Sequence, residues 1–323
     1  MSANREMLVS AARTALHAPS VFNTQPWVWR VTTDSLQLWS DRGRRLDATD
    51  PDGRLLLLSC GAALHHARVG LAATGQQVTV DRLPDLRRPD LLAELRVTGT
   101  APVESETRAL AAAIEQRRTD RRAFGSRTVP GPVIDGLRHA VEAEGAYLHV
   151  LRPDQIVMLG ISAELAEAAE SDDPDYRAEL ARWTSRTPWD GDGVPVTTAV
   201  EPGLRRVPVR DFAPDQIAGL DTGGGRDQGA EYAVVFGPGD DPIDLLRAGE
   251  ALSALLLRAT ADGLSTAPLT DAVEVSWPRH LVRGLLAGTG EPYVVVRLGF
   301  SDSDRPLPPA PRRRPEQVIE IEP

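Results

Sequence analysis

The pattern of apolar residues predicts two long helices that are buried on nearly all sides. One runs from Leu55 to Thr74 and the other from Asp244 to Ala261, and each is apolar at almost every turn. A helix that is apolar all round normally lies at the centre of a fold. A glycine, Gly75 or Gly263, follows each helix where a C-terminal cap is expected. These helices are therefore predicted to form the centre of the protein.

Shorter helices and strands are predicted on either side of these two helices. Helical spacing favours a helix from Ser2 to His17, and alternation over residues 28–39 favours a β-hairpin. The same reasoning predicts helices over Val103 to Gln116 and Pro132 to Glu144, and strands over Val78 to Arg82, Leu91 to Thr98, Ala146 to Leu151, Glu231 to Phe236 and Pro292 to Gly299. The fold class is predicted to be α+β.

The two central helices share a short sequence, which indicates an internal repeat. Gly61-Ala62-Ala63-Leu64 matches Gly249-Glu250-Ala251-Leu252, and the capping glycines keep the same offset. Each helix is followed by predicted strands. The chain is therefore expected to contain two diverged α+β halves, residues 1–100 and 101–323, that pack as a pseudo-dimer with two-fold symmetry.

The segment from Thr184 to Ala230 is long, rich in Gly, Pro and Asp, and without clear periodicity. A connection of this kind is usually a lid, a binding loop or a disordered insertion. The aromatic residues Trp183, Trp189 and Phe212 favour partial ordering, so we interpret residues 184–230 as a candidate lid.

Composition narrows the classes of function. A formal charge of −10 argues against a nucleic-acid or anionic-membrane partner. All 36 basic residues are arginine, which excludes a pyridoxal Schiff base and a Walker-type phosphate loop, because both need lysine. The first residues lack the layout of a signal peptide, apolar runs look too short to span a membrane, and there is one cysteine, Cys60. A cytoplasmic location is expected.

The stretch from Ala18 to Trp27 concentrates unusual residues between a helix and a strand. Pro19 and Pro26 fix two φ angles and remove two backbone donors. Such a stiff turn would suit the edge of a planar heterocycle, although a well-capped strand start would use similar residues. Its short polar side chains are Ser20, Asn23, Thr24 and Gln25.

The order Pro19-Ser20-Val21-Phe22-Asn23, followed by Gln25-Pro26-Trp27, resembles the flavin-contacting turn of the nitroreductase family. The internal repeat makes the chain similar to the fused two-half actinobacterial branch often called Acg-like. This resemblance implies an FMN-dependent oxidoreductase fold. The first half keeps the turn and the second keeps an arginine-rich segment, so the resemblance implies one FMN per chain, between the halves.

The resemblance also implies the residues that contact FMN. Arg118 would grip the phosphate, and Arg122 would lie near the N1/C2 edge of the ring. Without the resemblance, the segment around Arg118 and Arg122 could be a solvated basic helix start. Residues 268–270 could be a helix-exit loop, and the tail with Arg312 and Arg314 could simply be solvated. The full implied set is Pro19, Ser20, Val21, Asn23, Arg118, Thr119, Asp120, Arg122, Pro268, Leu269, Thr270, Arg312 and Arg314.

The chemistry implied by the family is hydride transfer from NAD(P)H, through FMN, to a nitroaromatic or quinone-like acceptor. The protein would supply orientation and electrostatics, and no side chain need act as nucleophile or base. The main alternative is a protein that binds or sequesters FMN under a lid with little turnover. A cofactor-free α+β protein is a third reading, and the sequence leaves open a monomeric pseudo-dimer or a homodimer.

Overall fold

The computed structural model describes residues 3–201, 203–214 and 216–322, and it contains two β-sheets around a central pair of helices. The helices of this described part are α1 (Ala3–Ala15), α2 (Arg54–Ala73), α3 (Ser105–Gln116), α4 (Gly131–Ala143), α5 (Pro153–Asp172), α6 (Pro174–Thr184), α7 (Pro242–Ala261), α8 (Asp271–Glu274), α9 (Ser276–Leu285) and α10 (Pro315–Val318). The strands are β1 (Trp27–Val31), β2 (Ser35–Ser40), β3 (Gln76–Arg82), β4 (Leu91–Thr100), β5 (Tyr147–Val150), β6 (Glu231–Gly237), β7 (Ser265–Leu269), β8 (Glu291–Gly299) and β9 (Ile319–Ile321).

The two halves repeat one topology. The order α1-β1-β2-α2-β3-β4 returns as α4-β5-β6-α7-β7-β8. Four strands of the first sheet lie in the order β3-β4-β2-β1, and the second sheet has the equivalent order β7-β8-β6-β5. The predicted α+β pseudo-dimer is therefore confirmed.

The halves differ in what is inserted between equivalent strands. Three residues connect the hairpin strands β1 and β2, whereas α5, α6 and most of the segment 184–230 lie between β5 and β6. The short helices α8 and α9 are inserted between β7 and β8. The second half therefore contains the inserted segments that can cover a site between the halves.

The central helices α2 and α7 cross at two glycines. A Cβ added to Gly61 would lie 2.0 Å from the carbonyl oxygen of Leu246, and one added to Gly249 would lie 2.0 Å from that of Leu58. Leu246 packs into the apolar core of the first half, and Leu58 packs into that of the second. Each half thus contributes a leucine to the other half's core. The crossing has the reciprocal contacts that a two-fold pseudo-dimer requires.

The last strand joins the first sheet rather than the second. Residues 306–314 are extended, and β9 then pairs in parallel with β1, Trp29 opposite Ile319. The first sheet therefore has five strands in the order β3-β4-β2-β1-β9. Consequently the range 101–323 does not lie wholly in the second half, because its end completes the sheet of the first.

Helix α2 is a core helix. By length and apolar composition it could cross a membrane, contrary to the expectation that apolar runs are too short, but 78% of its most apolar window is buried inside the fold. It packs on α7, α1 and α3. The apolar character of α2 is thus accounted for by its central position between the two halves.

Most predicted elements are present, with boundaries shifted by a few residues. The hairpin, both central helices and the strands β3, β4, β5, β6 and β8 are confirmed. A helix-exit loop was one of the two interpretations of residues 268–270, whereas Pro268 and Leu269 lie in β7. The apolar pattern also did not lead to a prediction of α9 or β9: α9 is amphipathic but only 10 residues long, and β9 has only 3 residues.

We expect Gly61→Ala and Gly249→Ala each to destabilise the protein. The added Cβ would overlap a backbone carbonyl that belongs to the opposite central helix, so the helices must move apart. Overpacking of this kind typically costs about 1–3 kcal/mol. The free energy of unfolding in urea measures the effect.

Gly284→Ala is the matched control, because Gly284 also lies in a helix, α9, but a Cβ there meets nothing within 4 Å. This variant should be neutral or slightly stabilising. Equal losses at Gly61 and Gly284 would contradict the role given to the crossing.

Candidate functional site

Two adjoining cavities lie between the halves. The first encloses about 200 Å³ and is lined by arginines, the segment 193–198 and the extended tail. The second encloses about 100 Å³ and is mainly apolar. Five residues line both cavities, so the two form one continuous site with a cationic end and an apolar end. The shared residues are Pro19, Ser20, Phe22, Thr119 and Arg121.

The turn between α1 and β1 is strained where it meets these cavities. Phe22, Asn23 and Gln25 have φ angles of 45°, 53° and 50°, in the left-handed region that non-glycine residues rarely adopt. Ser20 Oγ accepts a 2.9 Å hydrogen bond from the Gln25 backbone N–H, and Ser59 Oγ accepts one from the Val21 N–H at 3.1 Å. Such strain is retained where surrounding contacts impose it, often at functional sites.

The polar side chains of the turn hold other parts of the chain. Asn23 Nδ2 donates to the carbonyl oxygens of Gly193 and Pro311, at 3.1 and 3.0 Å. Gln25 Nε2 donates to Gly191 O at 2.8 Å, and its Oε1 accepts from the Arg313 backbone N–H at 2.9 Å. The amides of Asn23 and Gln25 were expected to serve a heterocycle. In the structure they hold the covering segment and the tail against the turn.

Four arginines converge on the first cavity: Arg117, Arg118, Arg121 and Arg312. Among the residues that the structure describes, none of the four has a carboxylate within ion-pair distance. Buried guanidinium nitrogens of three of them also lack hydrogen-bond partners: Nε and Nη1 of Arg117, Nε of Arg118 and Nε of Arg312. A buried cation without a partner is costly. The first cavity is thus suited to a multiply charged anion.

Burial and the positive charges of neighbouring arginines lower the pKa values of two of these arginines. Burial, together with the charge of Arg118, lowers the pKa of Arg117 to about 10. Burial, together with Arg117 and Arg118, lowers the pKa of Arg312 to about 9. Both remain charged at neutral pH, so the cavity keeps a concentrated positive potential.

The second cavity is a slot between the central helices and β7. Its apolar wall consists of Leu55, Leu58, Ala62, Leu252 and Ala267. Pro268, Leu269 and Thr270 form one edge, and Arg121 lies at the junction with the cationic cavity. Arg121 Nη1 donates to Thr198 O at 3.2 Å. Burial, together with Arg210, lowers the pKa of Arg121 to about 10. The slot has the apolar faces and polar edge that a planar ring system needs.

The arginine-rich segment alternates between the cavities and the protein interior. Thr119 pairs in parallel with Thr266, so the backbone is extended there and successive side chains face opposite sides. Thr119 and Arg121 line the cavities, whereas Asp120 and Arg122 form a buried bidentate ion pair at 2.9 Å. Arg122 Nη1 also donates to Ser303 Oγ at 2.7 Å. Arg121 therefore lines both cavities, whereas Arg122, the predicted residue, does not.

A second buried ion pair supports this segment from behind. Arg297 and Asp227, both fully buried, are joined at 2.9 Å. Arg297 Nη2 donates to the carbonyl oxygens of Asp120 and Arg122, at 2.9 and 2.8 Å. These bonds fix the backbone that presents Arg121. The arginines in the segment therefore have two distinct roles: paired ones hold the backbone and unpaired ones face the cavity.

The structure brings most of the predicted site residues together. Asp120 and Arg122 lie outside the cavities, as does Arg314, which is exposed where α10 begins. The predicted residues that line one or both cavities are Pro19, Ser20, Val21, Asn23, Arg118, Thr119, Pro268, Leu269, Thr270 and Arg312.

Several residues of the site were not predicted from the sequence. Arg117 and Arg121 are neighbours of the predicted Arg118, Thr119, Asp120 and Arg122. The alternation of side chains along an extended strand would have placed Arg121 on the same face as Thr119. Ser59 lies one helical turn after Leu55 on α2 and faces the same slot. His17, Arg210 and Phe212 also line the cavities but carry no sequence signal that separates them from their neighbours.

The segment 184–230 covers the site at both ends. Gly193, Val194, Pro195 and Thr198 line the cationic cavity, and Val209, Arg210 and Phe212 line the apolar one. Phe212 packs edge-on against Phe22, with ring centroids 5.7 Å apart. The described part of this segment thus packs against the site, although Trp189 is exposed.

The fold and the cavities define a two-half α+β protein with a site between its halves that has a cationic end and an apolar end. Comparison with protein-family models gives no match. The chain is 40% identical over 313 residues, 95% of its length and 89% of the relative's, to the Mycobacterium tuberculosis protein named "Putative NAD(P)H nitroreductase Rv3131". It is 35% identical over 321 residues, 98% of this chain and 96% of the relative, to "Putative NAD(P)H nitroreductase acg" of the same organism.

The chain therefore belongs to the nitroreductase family, in the branch that includes Acg. Among solved structures, it is similar to the FMN-dependent nitroreductase NfnB from Mycobacterium smegmatis in complex with NADPH. That similarity has a TM-score of 0.44 and 18% identity, and it covers 68% of this chain and 100% of the other.

We expect Arg117→Met to stabilise the ligand-free protein, by about 1 kcal/mol, because it removes a buried charge that lacks a carboxylate partner. The same change should reduce the stabilisation that inorganic phosphate gives to the wild type. Thermal unfolding at low salt, with and without phosphate, measures both effects.

Arg297→Met is the matched control, because Arg297 is equally buried but paired with Asp227. It should destabilise the protein by about 3 kcal/mol, since the carboxylate of Asp227 is left buried alone. A loss of stability at Arg117 comparable to that at Arg297 would show that Arg117 is structural.

Proposed function

We propose that the chain binds one FMN in the joined cavities and uses it to pass electrons from NAD(P)H to a nitroaromatic or quinone-like acceptor. The observation that carries this proposal is the cluster of arginines that have no carboxylate partner among the described residues and that adjoin an apolar slot at the interface of the halves. Membership in a family whose members are named NAD(P)H nitroreductases supports the same assignment.

The cationic cavity would hold the phosphate of FMN. Arg117, Arg118 and Arg312 offer guanidinium donors that have no partner in the protein, and a dianionic phosphate would satisfy both their charge and their hydrogen bonds. Asn23 Oδ1 accepts from Arg312 Nη1 at 2.8 Å and so orients that guanidinium. The strained turn and the tail would together form this end of the site.

The apolar slot would hold the ring system. Leu55, Leu58, Leu252 and Pro268 provide apolar contact, and Arg121 provides a positive charge at the junction between the cavities. A cation placed there would stabilise negative charge on a reduced ring. We therefore replace Arg122 with Arg121 as the residue proposed for this role.

When bound, FMN would supply the redox chemistry by accepting hydride from NAD(P)H and returning it to the acceptor. The chain's own residues would bind the cofactor, orient its ring and exclude water from the slot. Because both halves of the site belong to one chain, a monomer would suffice for binding. A cytoplasmic location, inferred from the sequence, stays a prediction.

A second function is favoured by the covering segment. Val209, Arg210 and Phe212 line the slot, where they would restrict the stacking of a nicotinamide or an acceptor on the ring. If this cover stays closed, the protein would hold FMN with little turnover. The two functions share the binding site and differ only in access to it.

The visible spectrum of the purified protein, recorded anaerobically before and after NADPH and then NADH, tests the proposal. We expect a yellow protein that nicotinamide bleaches promptly. Bleaching by dithionite alone would favour the FMN-holding function. A colourless protein that takes up no added FMN would overturn both functions.

The double variant Arg118→Ala/Arg312→Ala should lose FMN retention, because it removes two of the guanidinium groups that would compensate the phosphate. Arg314→Ala is the control, since Arg314 lies near Arg312 in sequence but outside the cavities. Gel filtration followed by absorbance measures retained FMN. If the double variant retained as much FMN as the wild type, the assignment of these arginines to the phosphate would be contradicted.

A further inference from the structure

Arg210 is buried although it belongs to an irregular part of the covering segment. Its side chain is 8% exposed, and the flanking Val209 and Phe212 line the apolar slot. Residues 201–230, where described, contain no helix or strand apart from a single bridge between Val200 and Leu220. The position of Phe212 therefore depends on side-chain contacts rather than on a backbone ladder.

Two carboxylates from different helices hold the guanidinium of Arg210. Nη2 donates to Glu170 Oε1 on α5 at 3.0 Å, and Nη1 donates to Glu274 Oε1 on α8 at 3.2 Å. Helices α5 and α8 pack on each other, so the two acceptors form a rigid socket. One side chain of the covering segment is thus fixed to the body of the second half.

Aromatic rings connect this socket to the slot. The Arg210 guanidinium carbon lies 5.0 Å from the centroid of Phe22, in the strained turn, and 5.9 Å from that of Phe212. Tyr176 on α6 lies at 5.6 Å. Cation–π contacts at these distances are attractive, and more so when desolvated. Arg210 therefore joins Phe212 to both halves of the protein.

The charges around Arg210 are close to balanced. Burial, together with the nearby charge of Glu274, raises the pKa of Glu170 to about 9, against the opposing effect of Arg210. Burial also raises the pKa of Asp271, which lines the slot beside this cluster. The guanidinium of Arg210 thus contacts two buried carboxyl groups, those of Glu170 and Glu274. Removing either charge leaves its partner buried and unpaired.

We propose that Arg210 is a positioning residue whose bonds to Glu170 and Glu274 hold Phe212 and Val209 over the slot and so limit the size of the acceptor that enters. The inference rests on the proposed function, because it concerns access to the same site. A cavity of about 260 Å³ lies on the far side of the cluster, lined by Glu170, Tyr176 and Glu274. It gives these side chains room to rearrange when Arg210 leaves.

Hydrogen–deuterium exchange on the ligand-free protein tests this positioning role directly. In Arg210→Met, amides of residues 207–213 should exchange about tenfold faster or more, because the contacts that fix them are lost. Glu274→Gln should also increase the rate of amide exchange over residues 207–213. This variant provides the test if Arg210→Met does not fold. Arg210→Lys should recover part of the protection, since an ammonium can still pair with one carboxylate.

Arg206→Met is the matched control. Arg206 lies in the same segment, is exposed, and donates only to two backbone carbonyls at 3.5 Å. Its exchange pattern should equal that of the wild type. Unchanged exchange over 207–213 in both Arg210→Met and Glu274→Gln would overturn the proposal.

A kinetic readout on the FMN-loaded protein separates access from chemistry. Arg210→Met should lower the KM for both a naphthoquinone with a bulky side chain and benzoquinone. The fold-decrease should be about ten times larger for the bulky naphthoquinone. Equal changes for both acceptors would contradict a size limit. A wild type without FMN would refute the proposed function but leave the exchange result valid, so the two failures can be told apart.

Discussion

The close approach of α2 and α7 at Gly61 and Gly249 determines how near the two halves lie to each other. Because neither residue has a Cβ, each helix backbone contacts the other, and Leu58 and Leu246 reach across into the opposite core. Leu58 also forms part of the slot wall. The width of the site is therefore tied to the helix crossing, so that a change in core packing would also change the site.

Arginine serves opposite purposes in neighbouring parts of this protein. Arg122 and Arg297 are buried with carboxylate partners and hold the backbone of residues 120–122 in place. Arg117, which is buried, and Arg121, which is half-buried, have no such partners among the described residues and line the cavities. The folded protein thus maintains an unfavourable charge arrangement that an anionic ligand would relieve. The paired arginines supply the rigidity that keeps this arrangement from collapsing.

Sequence reasoning predicted the repeat, the central helices and ten of thirteen proposed site positions within the cavities. These features are carried by local patterns: apolar periodicity, Gly-x-Ala-Leu, and a proline-bounded turn. Arg121 rather than Arg122 lines the cavities because Thr119 pairs with Thr266, and no local sequence pattern encodes that pairing. The contacts of Arg210 and the destination of β9 join residues far apart in sequence, so they too required the structure.

The return of β9 to the first sheet has a consequence for synthesis. Arg30 on β1 and Glu320 on β9 are 290 residues apart, yet they form an ion pair across adjacent strands. While the chain emerges from the ribosome, β1 therefore keeps an unpaired edge until residues 319–321 have been made. The same late step brings Arg312 to the strained turn. Completion of the first sheet and completion of the cationic cavity thus both require residues that lie about 290 positions after the segments they contact.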